Sequence, residues 1–305
     1  MKKVLVTGAS GFIGKYCVAE LLKRGYEVHA LSTQKKESSQ IHWYQCNLLD
    51  SVQLKETLYQ IKPTHILHLA WYAEHGKFWN STENLKWVQA SIHLLQTFVK
   101  LGGKRFVGAG TCAEYDDSFG LCIEESTSLA PKTLYGTCKN AFAQILKAYA
   151  AQSSITYAWG RVFHLYGPGE HPNRLVPSVI NALLEDEPAN CSHGEQIRDF
   201  LYVEDVASAF VSILESSIEG PINIASGEPT SLKSIILQIG KKLKKPSLIR
   251  LGALTASTDA PILTAANTRL TNEVGWNPSY NLDAGLLKTI GSIVVKKSNI
   301  VGTDG

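Results

Sequence analysis

The chain has 305 residues, 44% of them hydrophobic, enough to bury a large core in one domain or in two closely joined ones. A net charge of +3 with histidine neutral is too small to point to a nucleic-acid or membrane partner. Six cysteines (17, 46, 112, 122, 138 and 191) form no C-x-x-C pair and no metal-ligand spacing, so they read as buried thiols of a reducing compartment, with no metal site expected.

The chain opens directly on a strand, which leaves no room for a signal peptide, and no apolar run approaches the roughly 18 residues of a membrane helix. A soluble, cytoplasmic protein is expected. Val4, Leu5 and Val6 form an apolar run too short for a helix and read as a buried strand. Gly8, Gly11 and Gly14 follow in a G-x-x-G-x-x-G spacing. Ile13, Cys17, Val18, Leu21 and Leu22 then recur at helical intervals up to Gly25. Strand, glycine turn and helix together make a dinucleotide site. Gly8 permits the tight turn, Gly11 lets the backbone approach a pyrophosphate, and Gly14 lets the helix pack on the strand. Ser10, Phe12 and Ile13 sit in the same turn, whose unpaired N–H groups supply the anion site.

Glu27–Ser32 reads as the second strand, and its end bears on cofactor choice. A carboxylate there accepts the ribose hydroxyls of NAD, whereas a 2′-phosphate needs neutral donors and cations. Ser32, Thr33, Gln34, Lys35 and Lys36 offer no acid before Glu37, which favours NADP(H) over NAD(H). Further strands are expected at Ile41–Cys46, His65–Ala70, Arg105–Ala109 and Ile155–Val162. They alternate with helices to about Tyr59, at Ser81–Leu101 and at Leu134–Ala150. Such alternation implies an α/β fold with a doubly wound parallel sheet. Lys296–Gly305 reads as a frayed tail.

Two segments carry chemistry. In Tyr135-Gly-Thr-Cys-Lys139 a four-residue spacing places both side chains on one helix face. An ammonium beside a phenol is expected to lower the phenol pKa, so that Tyr135 exchanges a proton with a substrate oxygen. Thr111, just beyond the strand ending at Gly110, lies at the carboxyl edge of the sheet, where ligands of doubly wound folds bind. Trp71, Tyr72, Glu74, His75, Phe78 and Trp79 crowd the loop after the fourth strand, where their rings either stack on a ligand or fill the space between domains.

These pieces, with HLAW (68–71), Asn84 heading a long helix, RVFHLYGPG (161–169), RDFLYVEDV (198–206), NIASGE (223–228) and GWNP (275–278), resemble the extended short-chain dehydrogenase/reductase family in its nucleotide-sugar branch over nearly the whole length. The resemblance implies a Rossmann-type sheet with a smaller interleaved C-terminal substrate domain. The dinucleotide part is expected at 1–162 plus about 197–222, the substrate part at about 163–196 plus 223–296, and a tail at 297–305. It places the catalytic set on Thr111, Tyr135 and Lys139. Cofactor contacts are implied at Asn47, Leu48, Leu69, Ala70, Trp71, Asn84, Val162 and Phe163 besides those named above. Substrate contacts are implied at Cys112, Ala113, Glu74, His75, His164, Leu175, Val176 and Arg198, with Arg250 as a replacement for the arginine that grips the diphosphate. His164 and Arg198 have plain alternatives as a hydrogen-bonded strand-end histidine and an ion pair with Asp199. A homodimer through the helices at 81–101 and 134–150 is likewise implied.

Departures from the family sharpen the reading. Dehydratases carry Asp-Glu immediately after the threonine; here Cys112 and Ala113 stand there, and Glu114 falls one position late. Ser32 replaces the acid that NAD-retaining epimerases carry. The expected activity is therefore NADPH-dependent reduction of a nucleotide-linked 4-keto-6-deoxy sugar, as in the 4-keto-hexose reductases that the His164 region resembles. The alternatives are an NAD-retaining nucleotide-sugar epimerase and a non-catalytic NADP(H)-binding sensor.

Overall fold

A computed structural model describes residues 2–256 and 259–301. Its strands are β1 (Lys3–Thr7), β2 (Glu27–Ser32), β3 (His42–Gln45), β4 (His65–His68), β5 (Arg105–Thr111), β6 (Leu121–Cys122), β7 (Thr156–Val162), β8 (His164–Tyr166), β9 (Ala189–Asn190), β10 (Ile197–Tyr202), β11 (Gly220–Ile224), β12 (Pro229–Ser231), β13 (Ile249–Arg250) and β14 (Ile262–Ala265). The α-helices are α1 (Phe12–Lys23), α2 (Ser51–Ile61), α3 (Glu83–Lys100), α4 (Leu134–Ala150), α5 (Leu175–Leu184), α6 (Val203–Glu215), α7 (Leu232–Lys242) and α8 (Leu282–Val301).

Seven strands pair in the order β11-β7-β5-β4-β1-β2-β3, each pair parallel. Alternation along the strands sorts side chains to two faces. Val4 and Val6 join the core under α1 and α6, with Cys17, Leu21 and Phe210. Leu5 joins the opposite core under α2, α3 and α4, with Leu54, Leu94 and Phe142. Strand order reverses between β1 and β4, and the crevice at such a reversal is where doubly wound sheets bind ligands. Local signals set the helix starts that frame it. Asp50 accepts from the N–H groups of Val52 and Gln53 to begin α2, and Thr133 accepts from Gly136 N to begin α4.

A second sheet, β12-β10-β14-β6 with β8 paired to β10, is backed by α5, α7 and α8 around Ile180, Leu183, Ile236, Ile239 and Leu286. The chain crosses between the layers more often than the expected boundaries allow. β6 leaves the N-terminal part for the small sheet, and β10 also belongs there, while β11 closes the edge of the large sheet. The exchange is stitched at Asp199 on β10, whose carboxylate accepts from Ser226 N and Oγ and from Gly227 N just beyond β11. The expected fraying from Lys296 also needs correction, because α8 runs on to Val301 and Lys297 pairs with Glu185 at 2.6 Å. Positions 302–305 of the expected tail lie outside the described residues. Cys17, Cys46, Cys122, Cys138 and Cys191 are buried and Cys112 is partly so, all six as free thiols. Among the described residues no helix is long and apolar enough to cross a membrane.

Candidate active site

The glycine turn packs without room for side chains. Gly8 has φ +71°, and a Cβ there would lie 2.8 Å from Ala70 N on the neighbouring segment. A Cβ on Gly14 would come within 2.0 Å of Gly8 O. Gly11 caps α1 with no side chain, so the first-turn N–H groups of the helix open into the crevice. Backbone donors without a side-chain cap, on a turn no Cβ can enter, fit a dinucleotide pyrophosphate. The cleft beyond has a volume of about 600 Å³, within the range of small-molecule sites. Gly8, Gly11, Phe12, Ile13 and Gly14 line one end of it, and Leu69, Ala70, Trp71, Val162 and Phe163 line its floor and sides.

Thr111, Tyr135 and Lys139 meet in the same cleft. Thr111 is the last residue of β5, and Tyr135 and Lys139 stand one turn apart at the start of α4. The Thr111 hydroxyl is near enough to the Tyr135 phenol to pull its pKa down. The edges of Phe78 and Trp79 meet the Tyr135 ring at 4.9 and 5.7 Å between centroids.

The electrostatics differ from expectation. Burial raises the Tyr135 phenol well above its ordinary value, and the nearby Thr111 hydroxyl only partly offsets it. Lys139 is itself held down to about 7 by burial, against the opposing pull of Glu114. Its ammonium donates to Ala109 O at 2.9 Å and lies 4.0 Å from the Trp71 ring centroid, but 5.9 Å from that of Tyr135. Helical spacing brings the two residues to one face, yet the longer side chain reaches past the phenol to the strand carbonyl. Desolvation then outweighs the ammonium's pull.

The other half of the cleft is polar. Arg198 and Arg174 supply positive charge, with the Asp259 carboxylate acting on Arg198. Arg198 NH1 donates to Ile197 O, and the Asp199 carboxylate is taken by the turn at Ser226, so the adjacent residues are not an ion pair. His75 stacks on His171 at 4.4 Å between centroids, joining the loop after β4 to the loop after β8. Among the described residues, four buried polar atoms facing this region lack a protein partner: His75 Nδ1, His164 Nδ1, Glu170 Oε2 and Gln196 Oε1. Burial keeps the His164 imidazole neutral, at about 3, and pushes the Glu170 carboxyl up to about 8. Cys112, Leu175 and Val176 complete the wall.

Several expected contacts stand elsewhere. Glu74 is exposed and bonded to Tyr72 and Lys77, outside the cleft. Arg250 is exposed on β13, donating to Ser247 O and Ile249 O; that strand pairs only with β9, which carries it away from the cleft. Ala113 turns its carbonyl onto α4, where a Cβ on Gly136 would come within 2.4 Å. Asn84 is buried with both ends engaged, accepting from Trp71 Nε1 at 2.8 Å and donating to Phe78 O and Ser81 O, so it holds the aromatic loop. Asn47 accepts from Leu49 N in the turn into α2, and Leu48 is buried in the core. Ser10 is exposed on the glycine turn. Ser32 ends β2, and Thr33 follows it, at the same sheet edge as the cleft. There Lys35 pairs with Glu37 at 3.1 Å and Lys36 lies 5.1 Å from the Trp43 ring centroid. Glu170, His171, Arg174, Gln196 and Asp259 were not singled out by sequence reasoning. Glu170 and His171 directly follow the GPG turn and Arg174 caps α5, the available local signals.

Away from the cleft, Glu27, His29 and His42 bring potential metal-ligand atoms within 4.8 Å of one another. The two imidazoles stack at 22°, so their lone pairs do not converge on a common centre. His29 is already bonded to Glu27 and Tyr44. This is a hydrogen-bonded stack between β2 and β3.

The profile of the NAD dependent epimerase/dehydratase family matches residues 4–225. The CDP-abequose synthase of Salmonella typhimurium is 28% identical over 296 residues, covering 93% of this chain and 95% of that protein. The dTDP-4-dehydro-6-deoxyglucose reductase of Escherichia coli is 28% identical over 316 residues, covering 96% and 98%. Among solved structures, the UDP-glucose 4-epimerase of Thermotoga maritima, crystallised with UDP-glucose, superposes with a TM-score of 0.85. Its 22% identity over 96% of this chain and 99% of that one is a likeness of fold.

Proposed function

The chain belongs to the NAD dependent epimerase/dehydratase family, and we propose that within it this protein is an NADPH-dependent reductase of a nucleotide-linked 4-keto-6-deoxy sugar. The observation that carries the reading is the chemistry around Thr111. Thr111, Tyr135 and Lys139 share one cleft with the glycine turn, yet no carboxylate next to Thr111 reaches it. Cys112 faces the cleft, Ala113 faces α4 and Glu114 is buried beneath. A site built this way can move a proton to or from one oxygen, but it lacks the adjacent acid–base pair that removal of water requires.

A nicotinamide dinucleotide held by the glycine turn would supply the hydride for the sugar C4 carbonyl. Thr111 donates a hydrogen bond that orients the carbonyl oxygen, and Tyr135 gives its phenolic proton to that oxygen as it becomes an alkoxide. Lys139, as an ammonium, stabilises the resulting phenolate until a proton returns. Arg174 and Arg198 meet the diphosphate, and the unpartnered atoms of His75, His164, Glu170 and Gln196 receive the polar groups of sugar and nucleotide. In this reading the seven-stranded layer holds the cofactor and the layer around β10 and α5 holds the sugar nucleotide. The reading includes a homodimer through α3 and α4, on which Leu85 and Ile145 are exposed.

NADP(H) is favoured because the end of β2 carries Ser32, Thr33 and two lysines in place of an acid. The 27% identity to the UDP-glucose 4-epimerase of Rhizobium meliloti supports a second reading, NAD-retaining epimerisation. The deciding experiment is NADPH consumption across nucleotide-linked 4-keto-6-deoxy sugars, with the product identified by NMR. Stoichiometric oxidation with one substrate is expected. Protein that purifies with bound NAD and consumes no NADPH would establish the epimerase instead. NADPH binding without oxidation by any member of the panel would point to a sensor.

A further inference from the structure

Glu114 is fully buried, and its carboxylate is the hub of a polar cluster directly beneath the proposed catalytic residues. One oxygen accepts from Thr111 N at 2.9 Å, and the other accepts from Arg161 Nε at 2.9 Å. The indole N–H of Trp159 is shared between both oxygens at 3.0 and 3.1 Å. Arg161 donates onward to Tyr115 OH, which donates to Asn223 Oδ1 on β11. The neighbouring backbone leaves space for this arrangement. A Cβ on Gly110 would lie 2.3 Å from Trp159 Nε1 and 2.7 Å from Glu114 Oε1, so any side chain there displaces the cluster.

We propose that Glu114 is a positioning residue of this active site, whose buried carboxylate fixes the Thr111 backbone and, through the Trp159 indole wedged between them, serves as a counter-charge to Lys139. The assignment rests on the reading of Thr111 and Lys139 as catalytic. The charged and titratable groups around Lys139 are few. Glu114 favours its charged form, His68 on β4 is buried and neutral, and Tyr135 precedes it by one turn. Arg161, on β7, is bound to the far side of the Glu114 carboxylate. The Trp71 face, Ala109 O and the Trp159 ring, whose centroid is 5.9 Å from the ammonium and whose N–H is bonded to Glu114, also lie against it. In so dry a setting a charge change on one neighbour is felt strongly, because little water screens it.

The test uses E114Q and E114D, read by the pH titration of Lys139 in 13C-lysine-labelled protein, with K139M assigning the resonance, and by kcat with the responding keto sugar. E114Q removes the counter-charge and leaves Arg161 unpaired, so Lys139 should titrate about one unit or more below its wild-type value. Its kcat should fall about 10- to 100-fold, with the NADPH dissociation constant within about threefold of wild type. E114D keeps the charge on a shorter arm. Lys139 should then titrate near its wild-type value while kcat falls about tenfold. A merely structural role would not separate these two readouts. An E114Q protein whose Lys139 titrates as in wild type overturns the counter-charge role, and a folded E114D with undiminished kcat overturns the positioning role. Should E114Q not fold, the double variant E114Q/R161M removes the pair together, and an unmoved Lys139 there overturns the proposal. If the wild-type protein reduces no keto sugar, the functional reading fails, and the Lys139 titration still decides what Glu114 does.

Discussion

The ammonium of Lys139 rests against the face of Trp71, 4.0 Å from the ring centroid, and turns away from the tyrosine one turn earlier on its helix. The indole is itself pinned, since its N–H donates to the buried amide of Asn84 at the head of α3. The cation is thus satisfied by an aromatic face and a strand carbonyl. In the proposed reduction it must move toward the phenol as the phenol ionises.

Tyr135→Phe removes only the hydroxyl from a ring wedged against Phe78 and Trp79. Turnover should fall about 10²- to 10⁴-fold, with NADPH affinity within about threefold by fluorescence titration. Turnover at the wild-type rate would remove Tyr135 from the mechanism.

Two buried groups give opposite pH dependences of stability. Lys139 titrates at about 7 in the folded chain against 10.5 ordinarily, so the unfolded chain binds more protons between those values. Its contribution therefore rises with pH across that window, and Lys139→Met should stabilise the protein most below pH 7 and least above 10.5. Glu170 titrates at about 8 against 4.5, so its contribution is present below 4.5 and is lost as pH rises through 8. Glu170→Gln should accordingly stabilise most above pH 8. Each unit of displacement is worth at most about 1.4 kcal/mol. Melting temperature recorded from pH 4.5 to 10.5 checks both, and curves parallel to wild type would contradict them.

Ser32 ends β2 with no acid beside it. Ser32→Asp should weaken NADPH binding about tenfold or more and improve the ratio toward NADH, because the new carboxylate repels a 2′-phosphate and accepts from a free ribose hydroxyl. Equal losses for both cofactors would show that Ser32 does not sort them.

The arginines of the substrate half should separate cleanly. Arg174 lines the cleft whereas Arg250 lies exposed on β13. Arg174→Ala should raise KM for the sugar nucleotide about tenfold or more through loss of a charged contact, and Arg250→Ala should leave it within about twofold. Initial-rate kinetics suffice, and the reverse pattern would return the diphosphate to Arg250.

Asn84→Ala leaves the Trp71 indole and the Phe78 carbonyl without their partner, while Ser81 O keeps its bond from the backbone N–H of residue 84. A loss of about 2–3 kcal/mol in urea unfolding is expected, with a change in tryptophan fluorescence as Trp71 is released. An unchanged midpoint would mean that water replaces the amide without cost.

How far the chain could be read without its structure follows the range of the interactions concerned. The β1 strand, the glycine turn and α1 were legible because their apolar period and close packing involve neighbours within some twenty positions, and the approach of Gly14 to Gly8 O, with no room for a Cβ, is the tight packing such a turn needs. Thr111, Tyr135 and Lys139 could be brought together on paper because the strand-then-helix order already places them at one edge of the sheet. The direction in which Lys139 points was not legible, nor was the raised pKa of Tyr135, because both depend on packing that removes water around them. Glu114 looked like an acid one position out of place. Only the turn of residues 112–114 and the Trp159 indole send it inward to Arg161. Glu170 and Arg174 come from the loop after β8 and Gln196 from the one before β10, which meet only when β8 and β10 pair, and Arg250 drew notice by charge alone while its strand carries it elsewhere. Periodicity and spacing determine which elements form; which side chains share a dry cavity, and with what charge, is decided by contacts between residues far apart in the chain.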